Sequence, residues 1–125
     1  MATPTAVLHS QLLELHRTLL ELVKVEYERG HGKVANASAL LQLVIHDEAF
    51  AWLRPLSKLL VDLDDKDVIA DASAARAAVE GLFATATFAD AYQPALQAHP
   101  DLSFQHGEVM RITKGLPEKS SRLTN

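Results

Sequence analysis

Residues 5–29 read TAVLHSQLLELHRTLLELVKVEYER. Leucines recur here at alternating intervals of four and three residues, so on a helix with about 100° per residue they form one apolar stripe. Polar and charged residues such as Glu14, Arg17 and Glu21 fall on the opposite side. The pattern predicts a long amphipathic helix whose core-facing stripe consists of Leu8, Leu12, Leu15, Leu19 and Leu22.

Signals at both ends of this stretch define where the helix begins and ends. Thr3 or Thr5 can serve as the N-cap, and Pro4 suits the first turn of a helix. The glycines that bracket His31 supply a stop after residue 29. We therefore predict the helix over residues 5–29.

Composition limits the class of protein. The chain has 125 residues, 48% of them apolar, which favours one folded domain with a core rather than disorder. It has no Cys, which excludes disulfides, thiolate metal sites and Cys nucleophiles. Twelve Lys and Arg against sixteen Asp and Glu give a net charge of −4, which argues against a nucleic-acid partner.

Two further patterns bear on location. No run of apolar residues is long enough to span a membrane, and the N-terminus lacks the basic segment of a secretory signal. We expect a cytoplasmic protein with no membrane partner.

A second helical region begins near Asn36 or Ser38, both good N-caps. From residue 40 to 63 apolar residues lie on nearly every side, which predicts a central, buried helix. Pro55 cannot donate a backbone hydrogen bond, and Asp47 could cap a new helix at residue 48. The sequence is therefore compatible with one kinked helix or with two that abut.

Two shorter helical stretches and a last helix follow an acidic turn. Asp67 or Asp71 caps the first, which continues to about residue 86, and a shorter helix is expected over 89–99. Asp101 is expected to cap the last helix, which ends near Thr113. The predicted fold is all-α: a four-helix up-down bundle, its second helix kinked or broken near Asp47–Pro55, in a single domain over 1–114 with a flexible polar tail over 115–125.

Metal-binding patterns are weak. Among six histidines there is no His-x-x-x-His pair, and the one Glu-x-x-His, Glu28 to His31, ends among glycines. The acidic turn fails the EF-hand rule, because it carries Lys66, Asp67 and Ser73 where an acid, a glycine and a glutamate are required. We predict no metal and no cofactor.

Polar residues on apolar stripes indicate a ligand pocket. Glu26 continues the leucine stripe, so either the stripe reaches water there or the carboxylate is partly buried, beside Tyr27 and His31. Trp52 lies on the core stripe of the second region, as a core anchor or as a pocket wall beside Pro55. Arg54 lies on an apolar line of the same region. The predicted pocket is formed by Glu26, Tyr27, His31, Trp52 and Arg54.

A polar cluster is a second hypothesis. In an up-down bundle with turns near residues 68 and 100, Asp47 faces the region of Asp90, and Asp90 faces that of Arg111. With His46 these residues could support acid–base chemistry or form ion pairs and caps between helices. Ser57 has no His at a suggestive spacing, and no catalytic residue is assigned.

Part of the chain resembles a known family. The stretch YERGHG at 27–32 and the stretch FAWLRPLS at 50–57 are similar to a family of small bacterial proteins without an assigned activity. The resemblance is densest over residues 27–65 and implies a small helical bacterial protein, but no chemistry. Members of that family carry Pro after the aspartate where this chain has Glu48.

Two functions remain open at this point. The apolar surplus of the second region favours a non-enzymatic interaction module that binds a protein partner or forms a homodimer. The alternative is a bundle that binds a small molecule or a metal, with enzymatic activity undecided.

Overall fold

A computed structural model describes residues 3–118 and shows only helices and connecting segments in that range. The prediction of an all-α fold is confirmed. The elements are α1 (Pro4–His31), α2 (Ala37–His46), a 3₁₀ helix (Glu48–Leu53), α3 (Arg54–Leu63), α4 (Ala72–Ala84), α5 (Ala86–Ala98) and α6 (Pro100–Lys114).

The leucine stripe of α1 forms the centre of the core. Thr3 is the N-cap, with its hydroxyl accepting a hydrogen bond from the Ala6 amide at 3.1 Å. The helix ends at Gly32, whose φ of 83° is a conformation that favours glycine. Four stripe leucines are fully buried and Leu22 is partly buried. Because α1 packs against α3, α6 and the 3₁₀ helix, its stripe organises the whole interior.

The region 37–63 divides in a way that corrects one expectation. It does not form a uniformly buried helix, because α2 has no buried residue, whereas the 3₁₀ helix buries Phe50 and Leu53. The extended backbone of Asp47 separates the two elements, and its carboxylate accepts a hydrogen bond from the Ala49 amide at 2.9 Å. Leu40, Leu43 and Val44 of α2 pack against the edge of the core, whereas Leu41 and Ile45 are exposed.

The last helices begin earlier than their sequence signals suggested. Asp71 caps α4 by accepting from the Ala74 amide at 2.8 Å. Residue 85 separates α4 from α5, which starts three positions before the expected residue 89. Asp101 is not an N-cap: Pro100 takes the first position of α6, which leaves Asp101 in the first turn.

Residues 115–118 pack on the bundle. Leu116 is 3% exposed and belongs to the core. The Arg76 guanidinium in α4 donates to the Leu116 carbonyl at 2.7 Å. The tail expected from residue 115 therefore does not start before residue 119, and its remainder, 119–125, lies outside the described residues.

Candidate functional site

A cleft of about 540 Å³ opens between α1, the 3₁₀ helix and α5. Its floor and sides are mostly apolar, and its polar groups are Glu26, His31 and His99 together with the Tyr27 hydroxyl and the Trp52 indole. The lining consists of Leu19, Leu22, Val23, Glu26, Tyr27, His31, Ala49, Trp52, Pro94, Ala95 and His99. Four of the five residues predicted to form a pocket line this cleft, and Arg54 does not.

Stacked rings form one end of the cleft. The rings of Tyr27 and His31 are nearly parallel, with centroids 4.1 Å apart, because residues four positions apart share a helix face. Tyr27 also meets Phe50 of the 3₁₀ helix at 5.9 Å. The Nδ1 of His31 lies 3.1 Å from the Tyr27 carbonyl, which can only accept, so Nδ1 carries a proton. In neutral His31 the hydrogen-bond acceptor is therefore Nε2.

Trp52 belongs both to the core and to the cleft. Its ring is half-buried and packs on Phe88 with a centroid distance of 5.6 Å. The indole N–H makes no hydrogen bond to residues 3–118 and is accessible to solvent. Trp52 therefore anchors the 3₁₀ helix while keeping a polar donor available.

Glu26 lies at the rim, where the α1 stripe reaches water. Its side chain is 74% exposed, and Oε2 accepts from Arg29 at 2.9 Å. The sequence left open whether this carboxylate is partly buried or whether the stripe reaches water here, and the structure shows the second. The second carboxylate oxygen, Oε1, makes no hydrogen bond to the described part of the chain.

Arg54 holds the end of α2. Its Nε donates to the Val44 carbonyl at 3.2 Å, and its Nη2 donates to the Asp47 carbonyl at 3.1 Å. These carbonyls lie at a helix end, where backbone acceptors lack partners within the helix. The sequence signal, an arginine on an apolar line, thus marks a cap for α2 rather than a pocket residue.

The predicted polar cluster does not form. His46 and Asp90 are exposed, the Asp47 carboxylate caps the 3₁₀ helix, and Arg111 pairs with Glu108 at 2.8 Å. Within residues 3–118, no hydrogen bond or ion pair joins any two of His46, Asp47, Asp90 and Arg111. The expected juxtaposition assumed a regular up-down bundle, whereas the second region is divided at Asp47 into α2 and the 3₁₀ helix.

Two half-buried polar pairs could not be predicted from the sequence pattern. His16 Nε2 lies 2.7 Å from the Ser57 hydroxyl, and the Tyr92 hydroxyl lies 2.9 Å from His106 Nδ1. Burial lowers the pKa of His16 and of His106, and it raises the pKa of Tyr92. No hydrogen bond from the described residues orients the other nitrogen of His16, so the His16–Ser57 pair lacks the third member of a catalytic triad.

The second notable surface is α2 itself. Leu41 is 55% exposed and Ile45 is 48% exposed, and Leu40 and Val44 are only partly buried. We call these four residues the α2 surface. From residue 37 to 45 the helix carries no charged side chain, and its main packing partner is the 3₁₀ helix.

Residues 3–118 contain neither a cluster of metal ligands nor a membrane-spanning helix. No group of three or more His, Asp or Glu side chains there could hold a metal ion. Within the same range, no helix combines the length and apolar character needed to cross a membrane. Comparison of the chain with protein-family models, with curated proteins and with solved structures finds no match.

Proposed function

We propose that the chain is a non-enzymatic protein-interaction module that binds its partner through the α2 surface. One observation carries this proposal: half of the ten residues of α2 are Leu, Val or Ile, yet none is buried. A ten-residue helix is marginal in water by itself, and most of its stability must come from packing of its apolar face. Leu40, Leu43 and Val44 already pack against the core, and a partner that covers Leu41 and Ile45 would supply the remaining packing.

A second copy of the chain is the partner that best fits this surface. The protein has a net charge of −4, so two copies carry a net electrostatic repulsion. The α2 surface is uncharged from residue 37 to 45, and two such surfaces can approach about a two-fold axis without that repulsion. Leu41 and Ile45, one turn apart, would form its centre.

Sedimentation across a wide concentration range tests this proposal. We expect reversible dimerisation, and we expect Leu41→Glu to raise the dimer Kd about tenfold or more, because it places a charge in the apolar centre. Val61→Glu is the matched control, since Val61 is 69% exposed on α3, outside the α2 surface, and should leave the Kd unchanged. A protein that stays monomeric, or one whose dimer tolerates Leu41→Glu, contradicts the proposal.

Binding of a small molecule in the cleft is the second candidate function. The volume of about 540 Å³ lies within the range of ligand sites, and apolar walls with few polar groups are typical of such sites. The stacked Tyr27–His31 pair and the half-buried Trp52 give the cleft rigid aromatic sides.

Three further expectations belong to this proposal. The up-down bundle is supported by the packing of α3 on α4, α4 on α5 and α5 on α6.

The cytoplasmic location is supported by the absence of Cys from the sequence. Membership of the small bacterial family is supported by the stretches at 27–32 and 50–57, which supply lining residues of the cleft.

A further inference from the structure

We infer that the cleft binds a planar aromatic molecule that carries a cationic group, such as an aryl-ethylamine. The inference rests on the ligand-binding function proposed for the cleft and specifies the chemistry of that ligand. It follows from two features: aromatic side chains that accept a flat ring, and a carboxylate at the rim.

The aromatic part of the ligand is specified by three side chains. One face of the His31 ring lies on Tyr27, and within residues 3–118 no other ring contacts His31. His31 is exposed, so its other face is available for stacking. Trp52 lines another side of the cleft, where a planar ring can meet it in an offset or tilted arrangement.

The polar part of the ligand is specified by acceptors. Glu26 Oε1 has no partner in the described structure, and Nε2 of neutral His31 accepts a hydrogen bond. Arg29, which pairs with Glu26 through Oε2, is not part of the lining. Glu26 is the one acidic side chain of the lining, and its Oε1, left open by the Arg29 pair on Oε2, favours an ammonium group over a carboxylate.

Three probes with the same ring test this inference: tryptamine, the neutral alcohol tryptophol, and indole-3-acetate. The chain has a single Trp, so the indole N–H of Trp52 gives one assignable cross-peak in a ¹⁵N-labelled sample titrated with unlabelled probe. We expect all three to shift this peak, with tryptamine binding at least about threefold more tightly than indole-3-acetate and tryptophol between them.

Substitution of the rim carboxylate separates charge recognition from ring recognition. Glu26→Gln should bring the three affinities together while leaving that of tryptophol nearly unchanged. Glu21→Gln is the matched control, because Glu21 is exposed on α1 and does not line the cleft. It should preserve the order of the three probes.

The outcomes distinguish the two levels of the proposal. Equal affinities in the unmodified protein, or tighter binding of indole-3-acetate, overturn the cationic class but leave small-molecule binding in place. No shift of the Trp52 peak with any probe overturns both.

Discussion

The Nε2 of His16 and the hydroxyl of Ser57 lie 2.7 Å apart, although these residues are 41 positions apart in the chain. His9 makes a second polar contact of the same kind, because its Nε2 lies 3.1 Å from the Leu60 carbonyl. Both contacts link α1 to α3, which directly follows the 3₁₀ helix. The histidines that flank the leucine stripe thus fix α3 against α1, and with it the 3₁₀ wall of the cleft.

Stability should fall in mild acid. Burial lowers the pKa of His16 and His106 in the folded protein, so as pH falls below the ordinary histidine value of about 6.5 the unfolded chain binds protons before the folded one. The free energy of unfolding is therefore greatest above that pH and decreases towards pH 5. Urea unfolding at a series of pH values measures this.

A substitution assigns part of that pH dependence to His16. His16→Gln should flatten the decrease between about pH 6.5 and 5, whereas His46→Gln, at an exposed position, should leave its slope as in the unmodified protein. A slope that is unchanged by His16→Gln contradicts the role of this residue.

Loss of the Tyr92 hydroxyl should destabilise the core. Tyr92 is 1% exposed, and its hydroxyl lies 2.9 Å from His106 Nδ1, so Tyr92→Phe leaves a half-buried nitrogen without its partner. We expect a decrease of about 1–2 kcal/mol in the free energy of unfolding, measured with urea. Tyr27→Phe is the control: the Tyr27 hydroxyl makes no hydrogen bond to residues 3–118, and the loss should stay below about 0.5 kcal/mol. Equal effects at the two positions would show that the contact with His106 contributes nothing.

Arg76 should hold the segment after α6 in place. Its side chain, 14% exposed, donates to the carbonyls of Lys114 and Leu116 and pairs with Glu80 and Glu118. Arg76→Met should cost about 2 kcal/mol and should speed amide exchange at residue 116.

The control variant for Arg76→Met is Arg17→Met, which removes an exposed ion pair with Glu14 within one helix. Such pairs contribute little, so the loss should be below about 0.5 kcal/mol. If amide exchange at residue 116 is as slow in Arg76→Met as in the unmodified protein, Arg76 does not hold this segment.

Gly32 should resist substitution for reasons of backbone conformation. Its φ of 83° is strained for any side chain, although a Cβ at this position would meet no atom within 4 Å. Gly32→Ala should therefore cost about 1–2 kcal/mol. Gly107→Ala, in equally open space inside α6, should instead stabilise the protein by up to about 1 kcal/mol, because alanine favours helix. Thermal unfolding of both variants measures the sign of each change in stability. A change of the same sign in the two variants contradicts this account.

Local signals predicted much of the fold. The 4-3 spacing of leucines gave the buried face of α1, and Thr3 and Asp71 were among the residues named as caps, because both features depend on neighbours within one or two turns. Glu26, Tyr27 and His31 could be named because they are close in sequence, at the end of the leucine stripe, although the helix was expected to end at residue 29 and continues to His31.

Features that depend on how segments pack were not predictable in the same way. The partners of Ser57 and Tyr92 come from other helices, so no spacing in the sequence reveals them. The expected burial of the second region was wrong for α2, because apolar content does not show which side of the break at Asp47 reaches the core. Arg54 was wrongly assigned to a pocket. Its partners are the backbone carbonyls of Val44 and Asp47 at the end of α2, and no pattern in the sequence shows that these carbonyls come within its reach.

Amide hydrogen exchange of α2, followed as a function of protein concentration, tests the proposed interaction surface most directly. If a second copy covers the α2 surface, protection at residues 40–46 rises with the dimer fraction, while protection in the buried part of α1 stays constant. Exchange in α2 that stays equally fast at every concentration, whether or not the protein dimerises, would contradict the proposed role of this helix.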